Sequence, residues 1–328
     1  MISRRIIVLA LLTAGLGTAP AHPASGQIYP SRPITMVVPF GTGGPTDTIG
    51  RLMAEGMRVS LGQPVIIENV AGASGSVGVG RVARASPDGY TLSYGAWVTH
   101  VVNPAVYPLP YDVLEDFAPV ALIASTPWLI VAKKAMPADD LKGLIAWLKA
   151  NPDKASAGTT GVGTPGHVGG VLFQVATGTR FQFVPYRSSG PVVQDLLSGQ
   201  IDLAVLDPVT SLPQLRAGKI KAYAVTAEKR LAAAPDIATV DDAGLPGLHL
   251  APWHSIWVPK GTPRDVVAKL NAAVVDALAD QTIRRRIADQ GMEIPLPEQQ
   301  TPEALAAFHK AEIEKWWPII KAANIKGE

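Results

Sequence analysis

Ile34-Thr-Met-Val-Val-Pro-Phe40-Gly-Thr-Gly-Gly-Pro-Thr-Asp47 decides the fold of this chain. Residues 34–40 are short and almost continuously apolar, the mark of a strand buried on both faces. A glycine-rich turn follows, and Pro45 suits the first turn of a helix. Beyond it Ile49, Leu52, Met53 and Met57 keep a helical period on one face. Strand, glycine turn and helix form the repeating unit of parallel α/β sheets, whose ligands bind outside the carboxyl ends of strands. Thr46 or Asp47 is expected to cap this helix. The free N–H groups and dipole at such a helix start favour an anion.

The same grammar extends along the chain. Residues 65–70, 90–95, 128–133, 181–186, 201–206, 221–227 and 255–260 read as short strands. Leu141, Leu144, Ile145 and Leu148 mark an amphipathic helix, and the chain after Pro263 reads as helical to an anchor at Trp316-Trp317. Strands alternating with helices predict an α/β protein with largely parallel sheets. No fixed repeat and no linker divides it, so two domains would be closely joined. Two further glycine-rich loops stand out: residues 71–80, with Ser74 and Gly75, and residues 158–167, which again open a helix. Two helix starts of matching chemistry, far apart in sequence, favour a functional reading of these loops over ordinary tight turns.

Length and composition narrow the functional classes. The 328 residues suit about two domains. Hydrophobic residues at 47% and charged residues at 17% describe an ordinary globular protein. A net charge of +2 gives no electrostatic case for nucleic acid. Cysteine is absent, which excludes disulfides, thiolate metal sites and thiol nucleophiles. Arg4-Arg5, an apolar stretch over 6–17 and small residues up to Gly26 have the layout of a secretory signal peptide, with the general route preferred over twin-arginine export. Cleavage before Gln27 leaves 302 residues with no formal net charge. No later apolar run is long enough to span a bilayer, so the mature chain is expected to be soluble and exported.

Catalytic signatures are weak. Gly161-Val-Gly163-Thr-Pro-Gly166 satisfies a dinucleotide-binding pattern literally, but Tyr186 and Arg187 stand where an acid is required. There is no G-x-S-x-G elbow and no H-E-x-x-H. His249 and His254 straddle Pro252 and do not have helix-face metal spacing. No cofactor and no metal are expected. His167 lies beside the second anion site. Asp207, at a strand's carboxyl end, reads as a turn or cap residue, and Trp97 and Trp253 as either core or pocket. Arg284-Arg285-Arg286 reads as a solvated helix face.

Taken in order, the motifs resemble the Bug family, extracytoplasmic solute receptors of tripartite tricarboxylate transporters. The resemblance rests on residues 29–40 with Gly43, Gly44 and Asp47, on Glu68-Asn69, on Ser86-Pro-Asp-Gly-Tyr-Thr-Leu92, and on Gly161 to Thr164 with His167. Val184-Pro-Tyr186, Gly199-Gln-Ile-Asp202 and Pro259-Lys-Gly-Thr-Pro263 extend it over nearly the whole mature chain. It implies a periplasmic-binding-protein fold: two α/β lobes, 27–127 plus 253–328 and 128–252, joined by two hinge crossings around a ligand cleft. It further implies that Phe40, Thr42, Gly43, Gly44 and Asp47, with Ser74 and Gly75, form the first-lobe wall. Thr159, Gly163, Thr164 and His167 would hold a carboxylate from the second lobe, with Tyr186, Ser188, Ser189 and Asp207 on neighbouring loops; Trp97 joins the candidate site from its own reading as core or pocket, not from the resemblance. The family often has proline where this chain has Thr42, and glycine where it has Ser74; each change adds a hydroxyl and leans the ligand towards a polar or dicarboxylic acid.

The expected function is therefore capture of a small carboxylate by hinge closure in the periplasm, and its delivery by a monomeric receptor to the transporter's membrane subunits. Two rivals remain: a periplasmic hydrolase using Ser74 or Thr164 with His167, and a ligand sensor without transport.

Overall fold

The computed structural model describes residues 29–326, so the signal segment expected at 1–26 and its cleavage site lie outside the described residues. The opening apolar run forms β1 (Ile34–Val38), and the helix after the glycine turn is α1 (Pro45–Leu61), with Pro45 in its first turn. Ile49, Met53 and Met57, one turn apart, are fully buried. Each such side chain contributes about 1.5–3 kcal/mol relative to exposure. Gly62 ends the helix in the left-handed conformation, its N–H donating to Arg58 O at 3.0 Å.

The remaining strands are β2 (Val65–Asn69), β3 (Thr91–Ala96), β4 (Phe117–Ser125), β5 (Leu129–Lys133), β6 (Ser156–Thr159), β7 (Gln182–Pro185), β8 (Leu203–Leu206), β9 (Ile220–Val225) and β10 (Trp253–Pro259). The remaining α-helices are α2 (Ser76–Ala83), α3 (Asn103–Val106), α4 (Leu141–Ala150), α5 (Pro165–Thr177), α6 (Ser189–Ser198), α7 (Pro208–Arg216), α8 (Arg264–Ala279), α9 (Gln281–Asp289) and α10 (Pro302–Ala322).

The strands make two sheets, ordered β2-β1-β3-β10-β4 and β7-β6-β8-β5-β9. They are mixed rather than largely parallel, which corrects the expectation from sequence. β1 runs parallel to β2 and β3, and β6 to β7 and β8. β10 is antiparallel to β3 and β4, and β5 to β8 and β9. The reason lies in the connections. β5 and β10 enter their sheets from the opposite lobe, so no right-handed crossover helix on their own sheet dictates a parallel direction. β4 carries Pro119, which demotes it as a strand in sequence reading; it is tolerated because β4 lies at the sheet edge.

Two chain segments join the lobes, between β4 and β5 and before β10. They pair with each other: Thr126 N donates to Pro252 O at 2.8 Å and Trp128 N to Leu250 O at 3.4 Å. The fully buried Thr226 fastens both, its N–H donating to Trp128 O at 2.8 Å and its hydroxyl to Leu250 O at 2.7 Å. A third segment joins them where Ser125 and Glu293 exchange backbone hydrogen bonds of 2.9 and 2.8 Å. No helix among the described residues is long and apolar enough to cross a membrane.

Candidate functional site

Helix starts surround the space between the lobes. The N-cap residues of α1, α5 and α6 are Gly44, Thr164 and Ser188, all extended, and none accepts a capping hydrogen bond in its side chain. α7 differs: the Asp207 carboxylate accepts from Thr210 N at 2.9 Å. Uncapped starts leave backbone N–H groups free for a ligand, and the helix dipole favours an anion there.

A cavity of about 390 Å³ lies among them, within the usual size for a small-molecule site. Phe40, Pro45, Thr46, Ser74 and Trp97 line it from the first lobe, and Gly163, Thr164, Pro165, Ser189 and Asp207 from the second. No lysine or arginine among the described residues lines it. A bound anion would thus depend on N–H groups and hydroxyls rather than on a cation.

The loops that present these groups are braced from behind. Asp47 is 3% exposed; it accepts from Gly43 N at 2.9 Å, Asn69 Nδ2 at 2.9 Å and Arg51 Nε at 3.0 Å. Asn69 also donates to Phe40 O at 3.0 Å. Burial alone would raise the Asp47 carboxyl, but the hydrogen bonds from Arg51, Gly43 and Asn69 outweigh it and hold it below the usual carboxylate range. Asp47 is therefore not the cap expected from sequence. It sits in the first turn, reaches back to Gly43, and faces a surface depression beside α9 rather than the cavity. The two glycines before Pro45 lengthen the turn and move the cap position to Gly44.

On the second lobe, His167 Nδ1 accepts from Gly163 N at 3.4 Å. Its ring lies 4.8 Å from that of Phe183, and burial lowers its pKa. The Thr164 hydroxyl donates to Gly161 O at 2.7 Å, with Thr159 Oγ1 3.3 Å away. Tyr186 donates to Asp195 at 2.6 Å, and burial followed by that carboxylate pushes the phenol up to about 12. No carboxylate among the described residues orients His167, and neither Ser74 nor Thr164 hydrogen-bonds to it. The geometry of a nucleophile–base–acid triad is missing there.

The residues named from sequence therefore divide. Phe40, Ser74, Trp97, Gly163, Thr164, Ser189 and Asp207 line the cavity. Thr42, Gly43, Gly44, Gly75, Thr159, His167, Tyr186 and Ser188 flank or brace it, and Asp47 stands behind its loop. Gly75 shows why bracing needs glycine. Its φ is +92°, and an added Cβ would sit 2.7 Å from Thr99 Cγ2. Trp97 is both core and lining: 1% exposed, with its ring 5.0 Å from that of Trp316. Sequence reading missed the cavity's floor, where Thr126, His254, Gln290 and Met292 meet. The usable signal was position, because Thr126 and His254 stand at the expected hinge crossings.

Two α/β lobes, paired hinge segments and a cleft ringed by helix starts define a solute-binding protein of the periplasmic-binding-protein fold. Residues 49–325 match the family described as tripartite tricarboxylate transporter family receptor, and the chain belongs to it. It is 33% identical to Protein BugT of Bordetella pertussis over 323 residues, covering 98% of this chain and 97% of that one. MatC from Rhodopseudomonas palustris, solved with bound malate, is 40% identical, with a TM-score of 0.78 over 89% of this chain and all of that one. R. palustris Rpa4515, solved with adipate, is 34% identical, with a TM-score of 0.79 over 91% of this chain and 99% of that one.

Proposed function

We propose that this receptor captures a small carboxylic acid between its lobes in the periplasm and, as a monomer, passes it to the membrane subunits of a tripartite tricarboxylate transporter. The observation that carries this reading is the convergence of three uncapped helix starts on a cavity that no lysine or arginine among the described residues lines. Such a site suits a carboxylate, and the malate and adipate held by MatC and Rpa4515 accord with it. The bodies that close on the ligand are 27–127 plus 253–328 and 128–252. Open and closed forms exchange, and the acid favours the closed form because only there do both lobes serve it. No bond is made or broken.

The pocket residues in this proposal are those that line the cavity from both lobes, supported by Thr42, Gly43, Gly44, Asp47, Gly75, Thr159, His167, Tyr186 and Ser188. Charge-assisted hydrogen bonds contribute about 1.5–3 kcal/mol each, so a few reach the roughly 8.2 kcal/mol of micromolar affinity. Thermal unfolding against a panel of mono-, di- and tricarboxylates, aromatic acids and acidic amino acids tests the reading. A ligand at 100 times its Kd adds about 2.7 kcal/mol, raising the midpoint by several degrees. A cooperative melt that no acid moves, from protein unfolded and refolded to release any resident ligand, would defeat it.

A further inference from the structure

At one place the two lobes approach so closely that a side chain has to be missing. Gly291 follows α9, which packs on α1 and α8 of the first lobe; Pro208 opens α7, which packs on β5 and β9 of the second. A Cβ on Gly291 would stand 2.5 Å from Pro208 Cβ and 3.0 Å from its Cγ. Carbon atoms in contact stand about 3.5–4.0 Å apart, so even a methyl group there needs a separation of about 1 Å. Pro208 is buried, and its ring has no free side-chain rotation by which to escape. At another contact across the cleft, a Cβ on Gly163 would stand 3.4 Å from Val102 Cγ1, an ordinary distance.

The contact lies on the cleft side of the hinge. Gln290 and Met292, either side of Gly291, line the cavity, as do Asp207 and Val209, either side of Pro208. Two residues further on, the backbone pairing of Glu293 with Ser125 anchors the segment to the first crossing. Closure rotates the lobes about the crossings and brings the cleft walls together. A contact beside that pivot sets how far they close, and a displacement there grows towards the mouth of the cleft. The backbone also asks for glycine at 291: φ is +66°, and its N–H donates to Ala288 O at 2.8 Å to end α9. That need alone does not produce the close approach. Gly218 stands just past α7 with φ of +65°, and a Cβ there would meet nothing within 4 Å.

We infer that Gly291 is a positioning residue for capture: its bare Cα, seated on Pro208, is the stop that lets the lobes close far enough for both sets of helix starts to reach one ligand. A side chain at 291 holds the lobes apart and lowers the closed population. Affinity then falls by the same factor, because the apparent Kd is the intrinsic Kd divided by the competent fraction. This rests on the closure reading above and adds the contact that limits the closure.

The chain has no cysteine, so a pair of spin labels can be placed without background. Val59→Cys on α1 and Val175→Cys on α5, at positions 75% and 70% exposed, put one label on each lobe. Pulsed electron–electron resonance reads their separation without acid and with malate, adipate and the other acids of the panel. Asparagine tolerates positive φ, so Gly291→Asn tests bulk and Gly218→Asn is its matched control. Gly291→Asn is expected to deplete the shortest-distance population and to weaken binding of the acids that shorten the wild-type distance by about tenfold; Gly218→Asn leaves both unchanged. Gly291→Ala is the milder form of the same test, with a smaller change in the same direction. Pro208→Gly, added to Gly291→Asn, is expected to restore the short distance, and thermal melts check the folding of every variant. Wild-type distances and affinity in both 291 variants, a loss that Gly218→Asn shares, or one that Pro208→Gly does not relieve overturns the stop and leaves closure standing. A wild-type distance that no acid of the panel changes defeats closure and the stop with it.

Discussion

The helix starts of the two lobes solve one problem with different residues. In α1 and α5 alike, proline holds the first helical position, the residue before the cap is a glycine at positive φ, and the third helical residue reaches back to that glycine's N–H. In the first lobe the reaching residue is Asp47, charged, buried and tied to Arg51 and Asn69. In the second it is His167, neutral and held by one long hydrogen bond. The difference teaches how an anion site can be braced. A carboxylate beside a site for a carboxylate would repel it, and Arg51, 3.0 Å away, offsets that charge. A neutral imidazole needs no such partner. The first lobe thus has a strong network that must stay complete, and the second a weak one with little to lose.

The sharpest way to break this comparison is to remove both braces in turn. Asp47→Ala strands three donors, one of them the charged Arg51 guanidinium, and opens a buried position, and is expected to cost about 2–4 kcal/mol. His167→Ala is expected to cost about 1 kcal/mol, from one long hydrogen bond and its packing on Phe183. Urea unfolding measures both. Equal losses would show that the two loops are braced alike.

The first loop was legible in the sequence because its determinants are local: an apolar run, paired glycines and a proline at the helix start lie within 14 residues. The floor of the cleft was not. Thr126, His254 and Gln290 come together only because the chain crosses twice between lobes and α9 ends beside the crossing. The antiparallel direction of β5 and β10 escaped for the same reason, since strand direction follows the connection rather than the strand's own residues. Asp47 was read as a possible cap and instead stands in the first turn, because a cap and a reach-back from the first turn look alike in sequence.

Acid should separate the two braces next, not the lobes, because His100, His254 and His309 belong to the first lobe and only His167 to the second. Burial lowers the pKa of His100, His167, His254 and His309, with His309 adding to the effect on His100. A histidine whose folded pKa is depressed stabilises fully above its unfolded value near 6.5 and loses that contribution as pH falls towards the folded value. For His254, with a folded value of about 4, the loss reaches about 2 kcal/mol at pH 5. Asp47 follows the carboxylate rule: its contribution is present above 3.8 and is lost only below that. Between pH 7 and 5 the protein is therefore expected to lose stability through its histidines while the first-lobe brace stays intact. Unfolding of wild type and His254→Phe at both pH values checks this. A slope unchanged in the variant would remove His254 from the account, and a first-lobe loop that opens before the second would reverse the proposed order.

The smallest effect concerns the loop between β2 and α2, where a non-glycine residue lining the cavity accepts strain that the glycine-rich loop before α5 avoids. Ser74 has φ of 52°, the left-handed region that costs a non-glycine residue about 1–2 kcal/mol. It is held there by Asn103, 1% exposed, which donates to Ser74 O at 2.9 Å and to Ser76 Oγ at 3.0 Å. In the second-lobe loop before α5 the positive-φ positions are Gly161 and Gly163, where that backbone is unstrained. Ser74→Gly relieves the strain but frees the unfolded chain by nearly as much, so stability should change by less than about 0.5 kcal/mol. If strain is tolerated because it places the Ser74 hydroxyl in the cleft, ligand affinity should nonetheless fall, by about threefold to tenfold for one hydrogen bond. Affinity that holds while stability rises would mean that the serine is strained without return, and that both lobes present their ligand with backbone alone.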